Sequence, residues 1–197
     1  MIEIEVYARS SVANIPTIIL GVLLAVLIVG FAIIHLNLNG NANRNNWWRG
    51  VARLMLVEWL MLIICTTVVF RNTRPERTIN LIPLSSYFSI AENSYLKEVA
   101  VINLLNVVMF LPIGMLIKIS DLNANLNNWK GVMVLGLLLS VAIEVSQFVF
   151  CKGLCEVDDM IHNVIGCMIG YGVATMTLTL TLTIKKTITK KIRNEFI

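Results

Sequence analysis

Five stretches of this chain are apolar for about the 20 residues that an α-helix needs to cross the hydrocarbon of a bilayer. They are Ile15 to Leu36, Val51 to Phe70, Val99 to Ile119, Gly131 to Phe150, and about Met160 to Ile184. In lipid, backbone N–H and C=O groups must be satisfied within the chain, so such segments have one regular solution, the helix. Composition agrees: of 197 residues, 57% are hydrophobic and only 14% charged, where a soluble domain has about a quarter charged. What remains between the spans is too short for a soluble catalytic domain. The expected fold is all-α, a polytopic membrane protein built as a bundle of five transmembrane helices. The N-terminus, MIEIEVYARSSVAN, mixes acidic with basic residues, and the apolar run after it exceeds a signal h-region. It is therefore expected to stay as an anchor rather than be cleaved.

Orientation follows from the 16 Lys and Arg residues. Five alternating spans put Arg44, Arg49, Arg53, Lys118, Lys130 and the five basic residues of the tail on one side. Arg9, Arg71, Arg74, Arg77, Lys97 and Lys152 fall on the other. The positive-inside rule then makes the C-terminus cytoplasmic and the N-terminus external. The tail KKTITKKIRNEFI carries much of the net charge of +4. Beside a span, such a cluster sets orientation and meets anionic lipid. No nucleic-acid motif is present.

The polar residues inside the spans carry the chemistry. Ser140, Glu144 and Gln147 share one helix face through i, i+3 and i+4 spacing. After the short break CKGLCEVDD, the residues Asp159, Asn163, Gly166 and Gly170 share another. Two apolar helices joined so tightly lie antiparallel, and their stripes meet at one end. Gly166-x-x-x-Gly170 permits close helix approach. Asn103 and Asn106 sit a turn apart near the same end, and Pro112 removes the hydrogen bond to the carbonyl of Val108. Asn amides in a span face other helices, which makes the pair helix glue or part of a site. Arg71, Arg74 and Arg77 form a basic cluster on the connection after the second span. Its forks suit carboxylate or phosphate, and a solvated charge run is the plain alternative. The apolar run Ile79 to Ile90 is expected in the interface or against the bundle. Glu58 lies inside the second span, where an ion pair with Arg53 competes with a functional role. His35 reads as a boundary residue, and the Asn- and Gly-rich connection NLNGNANRNNWWRG as irregular, with Trp47 and Trp48 at the headgroups. The Thr–Leu alternation from Thr175 to Ile184 mimics a strand, but a lone strand cannot span lipid. A helix with threonines bonding back to the preceding turn is expected. Cys151 and Cys155 with the single His162 are too few for a zinc site, so no metal is assigned. A Cys151–Cys155 disulfide stays open, and no cofactor is legible.

Together Arg71, Arg74, Arg77, Asn80, Asn106, Glu144, Gln147, Asp158, Asp159 and Asn163 fall toward one end of the bundle, an expected outer polar pocket. Over residues 71 to 172 the chain resembles the VanZ-like family of bacterial membrane proteins. The likeness is carried by RTINLIP (Arg77, Asn80, Pro83), NVVMFLPIG (Asn106, Phe110, Pro112, Gly114), SVAIEVSQ (Ser140, Glu144, Gln147) and EVDDMIHNVIG (Glu156, Asp159, Asn163, Gly166). This chain has Glu156 where many relatives have Asp. The expected division is two N-terminal spans in 1–70, a VanZ-like core in 71–184 and a basic cytoplasmic tail in 185–197. The resemblance implies an envelope protein tied to resistance against the glycopeptide teicoplanin, with membrane lipid as surroundings. A lipid-linked cell-wall precursor or a lipoglycopeptide would be its partner. The second reading is a membrane hydrolase or transferase acting on a lipid-linked phosphate or glycan. In it Glu144 and Asp159 do acid–base work, Asp158 and Asp159 hold a divalent cation, and the arginines clamp phosphate.

Overall fold

The computed structural model describes Gly21, residues 42–84 and residues 96–195. Among the described residues four helices are long and apolar enough to cross a membrane: Trp47–Val69, Ala100–Ser120, Trp129–Val149 and Val157–Asn194. They correspond to four of the five expected spans. Apart from Gly21, the first expected span, together with His35, lies outside the described residues.

Helix α1 runs Ala42–Ile64 and widens into a π-helical turn over Cys65–Val69. Strand β1 is Thr78–Asn80, α2 is Leu96–Ser120, α3 is Trp129–Val149, β2 is Leu154–Glu156, and α4 is Val157–Glu195. The expected irregular connection before Val51 is corrected, because α1 already covers Ala42 to Gly50. Asn lowers helix propensity by at most about 0.7 kcal/mol per residue, too little to stop a helix that the apolar span beyond it carries, and Trp47 and Trp48 meet edge to face within it at 4.6 Å. Helix α4 continues through the lysines of the tail to Glu195. Two short strands, which period-2 reading does not reveal, pair in parallel with Thr78 opposite Leu154 and Asn80 opposite Glu156. The described residues are thus mostly helical with one two-stranded parallel sheet.

Helix α4 packs between α2 and α3, and glycine decides how closely. A Cβ on Gly166 would stand 2.2 Å from the Val107 carbonyl oxygen, and one on Gly170 1.9 Å from that of Leu111. From the other side, a Cβ on Gly114 would stand 1.9 Å from the Cys167 oxygen. No side chain fits there, so the α2 and α4 backbones touch. Where neither helix gains from leaving lipid, such contact is what holds a pair together. The buried core joins Ile63 of α1, Phe110, Ile113 and Leu116 of α2, Val132 of α3, and Cys167 of α4. Helix α1 is tied on by polar bonds: Trp59 Nε1 donates to the Met109 carbonyl at 2.9 Å. Arg53 Nε donates to the Ser120 carbonyl at 3.3 Å, and Arg49 pairs with Asp121 at 3.2 Å. Arg53 is thus engaged with the end of α2, and Glu58 lies on the exposed face of α1.

At the far end from the strands, a polar turn joins α2 to α3. Asn128 caps α3 by accepting from the Gly131 N–H at 2.9 Å. Along α4, Thr175, Thr177, Thr179, Thr181 and Thr183 each donate to the carbonyl four residues back, at 2.8 to 3.0 Å. This satisfies the hydroxyls inside the helix, as the alternation required.

Candidate functional site

The chain reverses between α3 and α4 in a few residues. Cys151 takes a positive φ of 55°, the Lys152 N–H donates to the Gln147 carbonyl at 2.7 Å, and β2 starts at once. The arginine segment is stitched onto this reversal. The Arg74 N–H donates to the Cys151 carbonyl at 2.7 Å, and Lys152 Nζ donates to the Arg71 carbonyl at 2.9 Å. Gln147 Nε2 donates to the Thr67 carbonyl at 3.1 Å, tying α3 to the last turn of α1. The β1–β2 pairing completes the frame. Elements far apart in sequence thereby meet at one end of the bundle.

Four carboxyl groups lie inside this frame. Glu144 is 1% exposed, and its Oε2 accepts from the Glu156 N–H at 3.1 Å, the reach across from α3 to β2. Glu156 Oε1 accepts from Asn80 Nδ2 at 3.3 Å, directly across the strand pair. Asp158, also 1% exposed, accepts from the Leu84 N–H through Oδ1. Asp159 Oδ1 accepts from Asn106 Nδ2 at 2.6 Å, bridging α4 to α2. One turn deeper, Asn163 Nδ2 donates to Ser140 Oγ at 2.8 Å, bridging α4 to α3. The two stripes anticipated from spacing meet through Asn163 and Ser140, while Gly166 and Gly170 of the second stripe face α2 instead.

Arg71 is half-buried and interacts electrostatically with Asp159, Glu144, Arg74 and Glu156. Burial pulls its pKa below the usual arginine value, against the opposing pull of Asp159 and Glu144. The Glu156 carboxyl is pushed up, chiefly by burial, while its bond from Asn80 works the other way. The Cys155 thiol is likewise pushed up by burial, with Glu144 adding to the effect. Gly153 leaves room for the arginine. A Cβ there would stand 3.0 Å from Arg71 Cζ and Nη1 and 3.3 Å from Gln147 Oε1. Among the described residues, the buried Gln147 Oε1, Asn163 Oδ1 and Asn103 Nδ2 have no hydrogen-bond partner. Orphaned polar atoms of this kind are unfavourable inside protein.

Of the residues expected at the site, Arg71, Arg74, Asn80, Asn106, Glu144, Gln147, Asp158, Asp159 and Asn163 are joined in this network or directly beside it. Arg77 is the departure. Its Nη2 donates to the Val149 carbonyl at 3.4 Å, and its guanidinium lies 5.8 Å from the Phe148 ring centre. It caps the exposed end of α3. The thiols of Cys151 and Cys155 are free, so they form no disulfide. Among the described residues no three His, Cys, Asp or Glu side chains are grouped to hold a metal ion. That leaves the divalent cation of the second reading without a visible ligand set. Sequence reasoning passed over Gly153, Thr67 and the Leu84 N–H. Only Gly153 left a trace, a lone glycine in the reversal beside Lys152.

The family model described as VanZ/LLP1 matches residues 22–180. The chain is 27% identical over 137 residues to "Protein VanZ" of Enterococcus faecium, covering 64% of this chain and 74% of that protein. No solved structure matches it.

Proposed function

The chain belongs to the VanZ/LLP1 family, and we propose that it is an integral protein of the bacterial cell envelope whose charged network binds a polar headgroup. That headgroup belongs to a lipid-linked wall component or to a lipoglycopeptide of the teicoplanin type, and binding lowers susceptibility to the drug. One observation carries this reading: the half-buried Arg71 sits among Glu144, Glu156 and Asp159 at one end of an otherwise apolar bundle. Charges are costly at such depth unless matched, and a mixed set of guanidinium donors and carboxylate acceptors matches a headgroup carrying phosphate, sugar hydroxyls and amide groups. The reading places the network at the outer leaflet, as the distribution of Lys and Arg suggests. Deleting the gene should raise sensitivity to teicoplanin more than to vancomycin. Equal and unchanged susceptibility to both drugs would remove the proposal.

The second reading, a membrane hydrolase or transferase on a lipid-linked phosphate or glycan, is favoured by one observation. Glu144 and Asp159 interact electrostatically inside the same charged network, the kind of carboxyl pair that acid–base chemistry uses. In this reading Glu144→Gln gives folded protein that no longer turns substrate over. In the binding reading the same variant folds and binds more weakly, and no product forms with either protein.

A further inference from the structure

Helix α3 is 21 residues long, about 31 Å, one hydrocarbon thickness. Its first residue, Trp129, packs edge to face on Tyr171 of α4 at 5.0 Å. The same indole lies 3.1 Å from where a Cβ on Gly172 would stand. Helix α2 ends at this level too: Lys118 Nζ lies 5.1 Å from the Tyr171 ring centre. The polar turn between them accepts the Tyr171 hydroxyl through the Asn127 carbonyl at 2.9 Å. The half-exposed Trp129, Lys118 and an Asn-rich turn at one height mark a membrane boundary. Helix α4 does not stop there. It continues from Val173 to Glu195, about 34 Å farther.

The end of this extension is two-faced. Ile184, Ile188 and Ile192 follow at i+4 steps within an arc of about 80°, and Lys186, Lys190 and Arg193 occupy about 60° centred on the opposite side. Lys185 and Lys191 flank the isoleucines. The three isoleucines are 58%, 53% and 51% exposed. Standing straight out, they would hold an apolar stripe in water. Before them comes the threonine run, in which each hydroxyl bonds the carbonyl four back, a pattern that bends helices.

We propose that Ile184 to Glu195 lie down on the bilayer at this end of the bundle, docked to an anionic lipid surface. The helix turns at the threonine run, the isoleucines enter the acyl boundary, and the lysine and arginine face meets lipid phosphates. A basic helix with one apolar stripe is the form that binds such a surface, with strength set by anionic lipid content. A second copy of the chain in the same orientation fits worse, since it would bring two sets of five like charges together.

The test is amide hydrogen exchange of residues 184–195 in the full-length protein. It is reconstituted in phosphatidylcholine vesicles with and without about one third phosphatidylglycerol. Exchange should slow by roughly tenfold or more when the anionic lipid is present. The gain should vanish in the Lys186→Gln, Lys190→Gln, Arg193→Gln triple variant and persist in the Lys186→Arg, Lys190→Arg double variant. These changes are exposed and leave the bundle folded, which exchange in α2 and α3 reports in the same experiment. Equal rates in the two vesicles would overturn the proposal. So would protection that survives the Gln changes, or that weakens when protein is diluted in lipid, since the last outcome identifies a second copy as the occupant.

Discussion

At the scale of single residues, the network depends on what is missing as much as on what is present. A Cβ on Gly153 would meet the guanidinium of Arg71 and the orphaned Gln147 Oε1, both ends of flexible side chains. Gly153→Ala is therefore expected to displace Arg71 rather than unfold the protein. Stability should fall by about 1 kcal/mol, while drug protection drops toward that of the deletion; thermal unfolding in detergent and a susceptibility assay separate the two. Glu156 gives a second prediction at this scale. Burial raises its folded-state pKa above the usual carboxylate value. Its contribution to stability is thus present in acid, below the ordinary Glu value, and is lost as pH rises through the raised one. Glu156→Gln keeps an oxygen for Asn80 and cannot ionise, so it should flatten that part of the stability curve. A Tm profile of the variant that falls with pH as steeply as the parent would show that other groups set the slope. Much of this network could be read from spacing, since Glu144 with Gln147, and Asp159 with Asn163, recur at helical intervals within spans where polar groups must find partners. Arg77 could not. Three arginines within seven residues say nothing about where each long side chain turns, and only coordinates separate Arg71, inside, from Arg77, on the end of α3.

At the scale of elements, the helices were legible because lipid leaves a long apolar run no other solution, and β1 and β2 were not because three residues carry no period. What makes the strands pair is the frame around them: the reversal after α3 presents Leu154 to Glu156 beside the arginine segment. The same logic explains why Gly166-x-x-x-Gly170 pointed to close packing without naming the partner. The structure supplies it, the Val107 and Leu111 carbonyls of α2. Because those atoms are backbone, no side-chain motion makes room. Gly170→Ala should force α2 and α4 apart and cost about 3 kcal/mol or more, far beyond Gly153→Ala, with loss of folded yield in membranes as the readout. By contrast Trp59→Phe removes one bond, from Nε1 to the Met109 carbonyl, and leaves that carbonyl bonded within α2. A loss of about 1 kcal/mol is expected, measured by the same unfolding assay.

At the scale of the whole molecule, the proposal turns on which way the bundle stands in the membrane. Both ends carry polar structure, but of different kinds. One holds Arg71, the carboxyls and the strand pair; the other holds the Asn-rich turn from Asp121 to Asn128 and the basic end of α4. The positive-inside rule, applied to the excess of Lys and Arg at the second end, is the ground on which the proposal takes the network to face outward, toward wall precursors and glycopeptides. Cys151 offers a native probe, since its thiol is free, half-buried and placed in the reversal beside the network. In intact cells a membrane-impermeant maleimide should label Cys151. It should fail to label a cysteine placed at the exposed Asn123 of the opposite turn until the membrane is permeabilised. Cys65, in the π-helical turn after α1, and the buried Cys155 and Cys167 are replaced beforehand by serine or alanine so that only the two probes report. The reverse pattern, Asn123→Cys labelled and Cys151 silent in sealed cells, would turn the network toward the cytoplasm. An extracellular drug or wall precursor would then have no access to it, and binding inside the inner leaflet would be the reading left standing.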